Sequence, residues 1–289
     1  MSERAPAKIN VCLFVGEARE ADGRHELVSV MQAVDLADEL RLKPATADAV
    51  DCPGVAGPNI VADAVAAFRA RTGWGGPPVT IAVTKRIPIA AGMAGGSADA
   101  AATLRLLARE AGLGDVALLR EIAAGIGADV AAQVLPGRYL ATGAGEQVEA
   151  LAPVWPGYSV LVLESDDALS TPAVYREFDR LALPRSPDDL AARLGEVRAA
   201  TARRPGGLPP GLVVNDLAPA AISLLPAIEG VLAHVRDTGA DHALVSGSGP
   251  TVLGLFADAR AARTAAQALR RHHPRIVLTE PVAAAGTGG

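Results

Sequence analysis

Cysteine is nearly missing from this chain: two in 289 residues, Cys12 and Cys52. Two thiols exclude a disulfide-stapled scaffold and fit a reducing compartment, so a cytoplasmic protein is expected. Aromatic residues make up only 3% of the sequence, a scarcity that by itself points to no function. No apolar run approaches the roughly 20 residues that span a bilayer, so no membrane partner is expected. The opening MSERAPAKINVCLFVG has no basic stretch ahead of an apolar one, and no signal peptide is expected. A basic stripe is lacking too. The net charge is -5 with both signs interspersed, which argues against a nucleic-acid partner. No His or Cys cluster suggests a zinc site. What remains is a globular chain, 50% hydrophobic, long enough for one large domain or two modest ones.

The elements can be read from pattern and punctuation. AKINVCLFV (7–15) predicts a strand, and LVSVMQAVDLADELRLK (27–43) one or two strands with a turn near Asp35 to Asp38. NIVADAVAAFRARTG (59–73) sets Ile60, Ala64, Ala67 and Phe68 on one helical face and stops at Gly73. VTIAVTKRIP (79–88) alternates as a strand does. A helix then runs to about Ala111, closed by Gly112, and another covers about 116–126 up to Gly127. RYLATGAGEQVEAL suggests a hairpin, YSVLVLES (158–165) a buried strand, and Thr171-Pro172 a helix start. RRPGGLPPG (203–211) predicts a loop, LLPAIEGVLAHVRDTG an amphipathic helix and TVLGLFA a strand. ARTAAQALRRHH predicts a last helix, with His272-His273 at its solvated end, and AAAGTGG a mobile tail. Strands followed by helices, twice over, predict an α+β chain of two-layer halves with a boundary near residue 150.

The densest punctuation is PIAAGMAGGSADAAATL (88–104), where Gly92, Gly95, Gly96 and Ser97 precede a helix. A helix start exposes unpaired N–H groups and partial positive charge, and bare residues let a phosphate reach them. The spacing is neither a Walker A loop nor G-x-G-x-x-G. The plainer reading is a tight strand-to-helix connection with Ser97 or Asp99 as N-cap. VSGSGPTVLGLF (245–256) is a second glycine–serine loop, and PAKIN (6–10) sets one lysine in an apolar strand. That lysine needs a negative partner, or snorkels to water from an edge strand.

PAKIN, PIAAGMAGGSADAA (88–101) and SGSGPTVLGLF (246–256), in this order, resemble the three motifs of the GHMP kinases. DGRHELVSVMQAVDLADEL (22–40), GADV (127–130), STPAVYREFD (170–179) and NDL (215–217) add to the likeness. The resemblance implies a two-domain α+β fold, ribosomal-protein-S5-like over 1–150 and ferredoxin-like over 151–289, with the site in the cleft between. It implies ATP and Mg²⁺, and phosphorylation of a small-molecule hydroxyl. Within the family the likeness favours the branch of isoprenoid precursor synthesis whose acceptor carries a cytidine.

Carried over by resemblance, ATP contacts fall on Pro88, Ala90, Gly92, Met93, Ala94, Gly95, Gly96, Ser97 and Ala98, with Ser97 also the metal contact. Asp129 is the carboxylate that orients or deprotonates the acceptor hydroxyl, and Lys8 stands beside it. Without the resemblance Asp129 reads as an N-cap after a glycine break. Acceptor contacts fall on Asn10, Arg24, His25, Tyr175, Ser246, Gly247, Ser248 and Gly249. Two departures stand out. Arg24 replaces the aromatic that usually stacks on cytosine, although an arginine plane can stack as well. Ala131-Ala132 replaces a usual Pro-Phe. Both favour the alternative of a related kinase acting on another small alcohol. A non-catalytic nucleotide-binding relative would have lost Lys8, Asp129 or a glycine loop, and this chain keeps all of them. A monomer or weak homodimer is expected.

Overall fold

The structure is a computed structural model and describes residues 1–89, 91–153, 158–202 and 208–282. It opens with a long antiparallel ribbon, β1 (Ser2–Ala18) and β2 (His25–Pro44). Next come β3 (Ala49–Asp51), α1 (Ile60–Thr72), β4 (Val79–Thr84), α2 (Gly95–Glu110), α3 (Val116–Ile126) and α4 (Ala128–Ala132). The hairpin β5 (Arg138–Thr142) and β6 (Gln147–Ala150) completes a sheet ordered β3-β4-β2-β5-β6, with β1 also paired to β2.

A second, four-stranded sheet follows. The chain supplies β7 (Ser159–Leu163), α5 (Thr171–Arg180), α6 (Pro187–Ala202), α7 (Ala218–Leu224) and α8 (Ala227–Asp237). Then come β8 (His242–Val245), β9 (Val252–Phe256), α9 (Ala259–Leu269) and β10 (Ile276–Thr279). Its order is β10-β7-β9-β8, antiparallel throughout. The fold is α+β, helices on two largely antiparallel sheets.

The turn expected near Asp35 to Asp38 does not exist: β2 is one strand of 20 residues. The register against β1 jumps instead, from Pro6↔Ala37 to Lys8↔Ala33. At this break β2 changes partner. The Asp35 N–H donates to Glu280 O at 2.8 Å and the Val282 N–H to Ala33 O at 2.9 Å. Both aspartates serve as acceptors for other segments. Asp35 takes the Glu280 N–H at 3.0 Å, and Asp38 takes the Ile87 N–H at 2.8 Å. The same bonds explain why β4 ends at Thr84 and not at Pro88: the Arg86 and Ile87 N–H groups go to the Asp38 carboxylate and leave the ladder.

The helix expected over 224–239 starts only at Ala227, because Leu225 before Pro226 is held extended at φ -137, ψ 83, and Leu224 ends the preceding α7. The last helix stops at Leu269, and His272 and His273 sit in the turn beyond it, His273 hydrogen-bonded to His234 at 3.0 Å. Of the expected loop 203–211, residues 203–207 lie outside the described residues, as does the tail 283–289; Pro210–Leu212 forms one 3-10 turn. The core is shared between the halves. Ile9, Val30, Leu104 and Leu107 pack in one cluster with Val160, Val162 and Leu253, and α6 lies against β1 and β2. Alanine dominates the buried face of α2, at Ala98, Ala100, Ala101, Ala102 and Ala108, which lets that helix approach β1 closely.

Candidate active site

A cleft of about 740 Å³ is lined from both halves of the chain. One wall is the start of α2. Its N-cap is Ala94, in the left-handed region at φ 53, and no side chain caps it. The expected caps are thus corrected: Ser97 is already inside the helix, and Asp99 turns inward to Lys85 at 2.7 Å. The first intrahelical bond runs from the Ala98 N–H to Ala94 O at 2.9 Å, so the N–H groups of Gly95, Gly96 and Ser97 precede it. A Cβ on Gly96 would meet only an Ile60 methyl at 3.6 Å, so that face is open. Gly92 is bare for another reason. It has φ +68, and a Cβ there would lie 2.1 Å from Ser246 O of the second glycine loop. The Ser246 hydroxyl donates to Gly92 O at 3.1 Å, and the Lys8 N–H donates to Met93 O at 3.1 Å. Three distant motifs are joined here by backbone contact.

Lys8 does not snorkel to water. Its ammonium donates to Asn10 Oδ1 at 2.8 Å and stands 3.7 Å from the Asp129 carboxylate. Asn10 is held in turn, donating to Ser29 Oγ at 2.7 Å, while the Ser29 hydroxyl donates to Cys12 O at 2.6 Å. Asp129 lies in the first turn of α4, whose N-cap is Gly127 with no side-chain hydrogen bond. The carboxylate is therefore not a cap, and it lines the cleft. Ala131 and Ala132 are buried and do not line it. Their departure from the family pattern concerns packing.

The second glycine loop is anchored by NDL. Asn215 Nδ2 donates to Val245 O at 2.8 Å and to Gly247 O at 2.7 Å, and Asn215 Oδ1 accepts the Leu217 N–H at 3.0 Å. Asp216 accepts the Val15 N–H at 3.0 Å and pairs with Arg185. Ser248 shares a hydrogen bond with Thr171 at the start of α5, Oγ to Oγ1 2.8 Å, and both line the cleft. Ser246 is fully buried beneath the loop, while Gly247, Ser248 and Gly249 face the cleft.

Arg24 and Tyr175 line the other end. The Arg24 guanidinium donates to Ala144 O at 2.9 Å, and the turn before it is braced by Arg19, which binds Asp22 and, at 2.7 Å, Glu146. Arg24 makes no stack on Tyr175. The ring against Tyr175 is that of His25, centroids 4.9 Å apart, and His25 does not line the cleft. Of the expected ATP contacts, Pro88, Gly92, Met93, Ala94, Gly95, Gly96 and Ser97 line it, Ala98 is buried in α2, and Ala90 lies outside the described residues.

Sequence reasoning missed a buried cluster beside the glycine loop, of which Lys85 and Asp99 also line the cleft. Lys85 bridges Asp38 and Asp99, with both carboxylates removed from solvent. Burial pushes the Asp99 carboxyl up to about 7, with the Lys85 ammonium and its hydrogen bond pulling it back. The only sequence trace is a lysine ending an alternating run, legible once Asp38 is placed opposite. Also missed is an apolar wall beside the glycine loop, formed by Val55, Pro58, Ile60 and Ile89 with Asn59, which caps α1 by accepting the Val61 N–H at 3.0 Å. Among the described residues no three His, Cys, Asp or Glu side chains converge as a metal site.

The sequence pattern described as GHMP kinases N terminal domain fits residues 59–137, and that described as GHMP kinases C terminal fits 199–275. The 4-diphosphocytidyl-2-C-methyl-D-erythritol kinase of Streptomyces coelicolor is 44% identical, the match covering 98% of this chain and 97% of that one. The enzyme of the same name from Streptomyces avermitilis is 42% identical over 92% and 91% of the two chains. A crystal structure of 4-(cytidine 5'-diphospho)-2C-methyl-D-erythritol kinase superposes with a TM-score of 0.78 at 31% identity, covering 98% of this chain and all of that one (100%).

Proposed function

The chain belongs to the GHMP kinases, and from that membership we propose that it transfers the γ-phosphoryl group of ATP to the 2-hydroxyl of 4-diphosphocytidyl-2-C-methyl-D-erythritol, giving the 2-phosphate and ADP. The observation that carries the proposal is Asp129, 3.7 Å from Lys8, in the same cleft as the uncapped start of α2. Similarity over nearly the whole length to kinases of that name supports this acceptor over another small alcohol.

Phosphoryl transfer asks a protein chiefly for positioning and charge stabilisation. The N–H groups of Gly95, Gly96 and Ser97 suit the triphosphate, since they lack partners in their own helix and sum with its dipole. The apolar wall of Val55, Pro58, Ile60 and Ile89 suits the adenine. Asp129 takes the proton of the attacking hydroxyl as its oxygen bonds to the γ-phosphorus and the bond to ADP breaks. Lys8, held by Asn10, offsets the charge that builds on the transferred group.

Magnesium bound with the nucleotide would offset phosphate charge, and Ser97, whose residue lines the cleft at the start of α2, would be its protein contact. The acceptor's cytosine would lie against Tyr175, with Arg24 at the rim and the 247–249 loop beside its phosphates. A cytoplasmic setting is supported by two free thiols, and among the described residues no helix is long and apolar enough to cross a membrane. A monomer or weak homodimer is our reading of the assembly, and sedimentation tests it.

The deciding experiment incubates the protein with Mg-ATP and 4-diphosphocytidyl-2-C-methyl-D-erythritol, following ADP release and identifying the 2-phosphate by phosphorus NMR. Turnover by the parent chain and none by Asp129→Ala is expected. A folded, ATP-binding protein that leaves this acceptor untouched would overturn the assignment.

A further inference from the structure

Lys8 and Asp129 are carried by two separate segments, and both segments are tied to adjacent carbonyls of the glycine loop. On one side the Lys8 N–H donates to Met93 O at 3.1 Å. On the other, Gln133 Nε2 donates to Ala94 O, also at 3.1 Å. Asp129 lies in the first turn of α4, and Gln133 is the C-cap of that helix. Ala94 is the left-handed N-cap of α2, directly before the open N–H groups of Gly95, Gly96 and Ser97. Successive carbonyls thus hold the lysine strand and the carboxylate helix at the start of α2.

Gln133 is itself pinned. Its backbone carbonyl accepts from Arg105 Nη1 at 2.7 Å, and Arg105, further along α2, also binds Glu3 at 2.9 Å and Arg4 O at 2.8 Å. A cation on the last carbonyls of a helix is favourable in its own right. The short helix α4 is therefore clamped to α2 twice, by the backbone of its C-cap and by the side chain of the same residue.

Stability does not explain the glutamine. Its side chain is buried, the residue being 4% exposed, and among the described residues its Oε1 has no hydrogen-bond partner. A buried amide with one unmatched oxygen carries a desolvation cost that an apolar side chain of similar size lacks. Ala94 O would not be orphaned without it, since that oxygen also accepts the Ala98 N–H at 2.9 Å. For folding alone a methionine at this position serves as well or better.

We propose that Gln133 is a positioning residue, fixing the Asp129 helix against the start of α2 so that a nucleotide engaging the loop also sets the carboxylate. Gln133 does not line the cleft and acts through α4 and Ala94. Its consequence for catalysis rests on the proposed role of Asp129 as base; the link between loop and helix does not.

The test uses two readouts. Gln133→Met keeps the length of the side chain and removes the donor. Its kcat should fall about ten- to hundredfold, the scale of a misplacement of about 1 Å, while the KM for the acceptor stays within about twofold of the parent. The melting temperature should hold or rise as activity falls. In an Asp129→Asn background the same substitution should cost little further, because the group it positions is gone. The second readout needs no turnover. The chain has four glutamines, Gln32, Gln133, Gln147 and Gln267, so labelling their side-chain nitrogens for NMR gives four amide pairs, and Gln133→Met assigns the one in question. Mg-ADP added to the parent should shift the Gln133 pair and leave the other three in place. An unmoved Gln133 pair overturns the inference, as does a Gln133→Met kcat equal to the parent's. So does a variant that unfolds or melts lower as its kcat falls, or a loss undiminished in the Asp129→Asn background. A parent chain that binds Mg-ADP and leaves the acceptor untouched refutes the proposed function, and the amide spectrum still decides this inference.

Discussion

Single side chains here divide into those that meet substrate and those that hold them. The proposed function puts Asp129 in the first group. Asp129→Asn keeps the shape and removes the base, so kcat should fall about 10²- to 10⁴-fold with the melting temperature little changed. Steady-state kinetics beside a thermal melt checks both. Asp99 belongs to the second group, and its chemistry shows in stability. Burial raises its carboxyl from the ordinary 3.8 to about 7. Between those values the folded chain holds a proton that the unfolded chain has released, so this group makes stability fall as pH rises through that window. Asp99→Asn removes the dependence. Its melting temperature relative to the parent should therefore climb from pH 5 to pH 8, and a gap that stays flat would refute the buried-carboxyl account.

At the scale of elements, the two glycine loops form one unit. Gly92 combines a positive φ with backbone contact to Ser246, so Gly92→Ala meets both a left-handed penalty and a carbonyl oxygen that cannot yield. It should cost at least about 1–2 kcal/mol and raise the KM for ATP, because the loop carrying Gly95 to Ser97 moves with it. Asn215→Ala attacks the same unit from the far side. It leaves the carbonyls of Val245 and Gly247 without their donor and should lower stability by about 1–3 kcal/mol, read as a denaturant midpoint. Motif order told of glycine–serine loops at both places. That one loop's bareness exists to admit the other was not legible, since no local rule pairs residue 92 with residue 246.

Over the whole molecule, two sheets share a core and a cleft. ATP seated in that cleft binds only the folded chain, and at a hundredfold over its Kd should raise stability by about 2.7 kcal/mol. Differential scanning fluorimetry with Mg-ATP, run also on Gly92→Ala, should show a smaller shift in the variant. An equal shift would detach the loop contact from nucleotide binding. The switch of β2 from β1 to the segment at 280–282 belongs to this scale too, and two aspartates that read as turn formers accept N–H groups from distant segments.

Local chemistry sufficed for much of this protein. Asn59 and Gly73 bound α1, Gly127 ends α3, Pro172 opens α5, and apolar periodicity identified most helices and strands, because caps, breakers and one-sided burial act within a few residues. The ordered motifs likewise carried the family. Tertiary structure decided what needs two distant segments at once: the pairing of Lys8 with Asp129, the burial of Lys85 between Asp38 and Asp99, the clasp of Asn215 on the second loop, and the packing of His25 behind Tyr175. Their energies depend on desolvation and on distances of a few ångströms between residues separated along the chain by 14 positions (Lys85 and Asp99) to 150 (His25 and Tyr175), and composition and spacing hold no record of either.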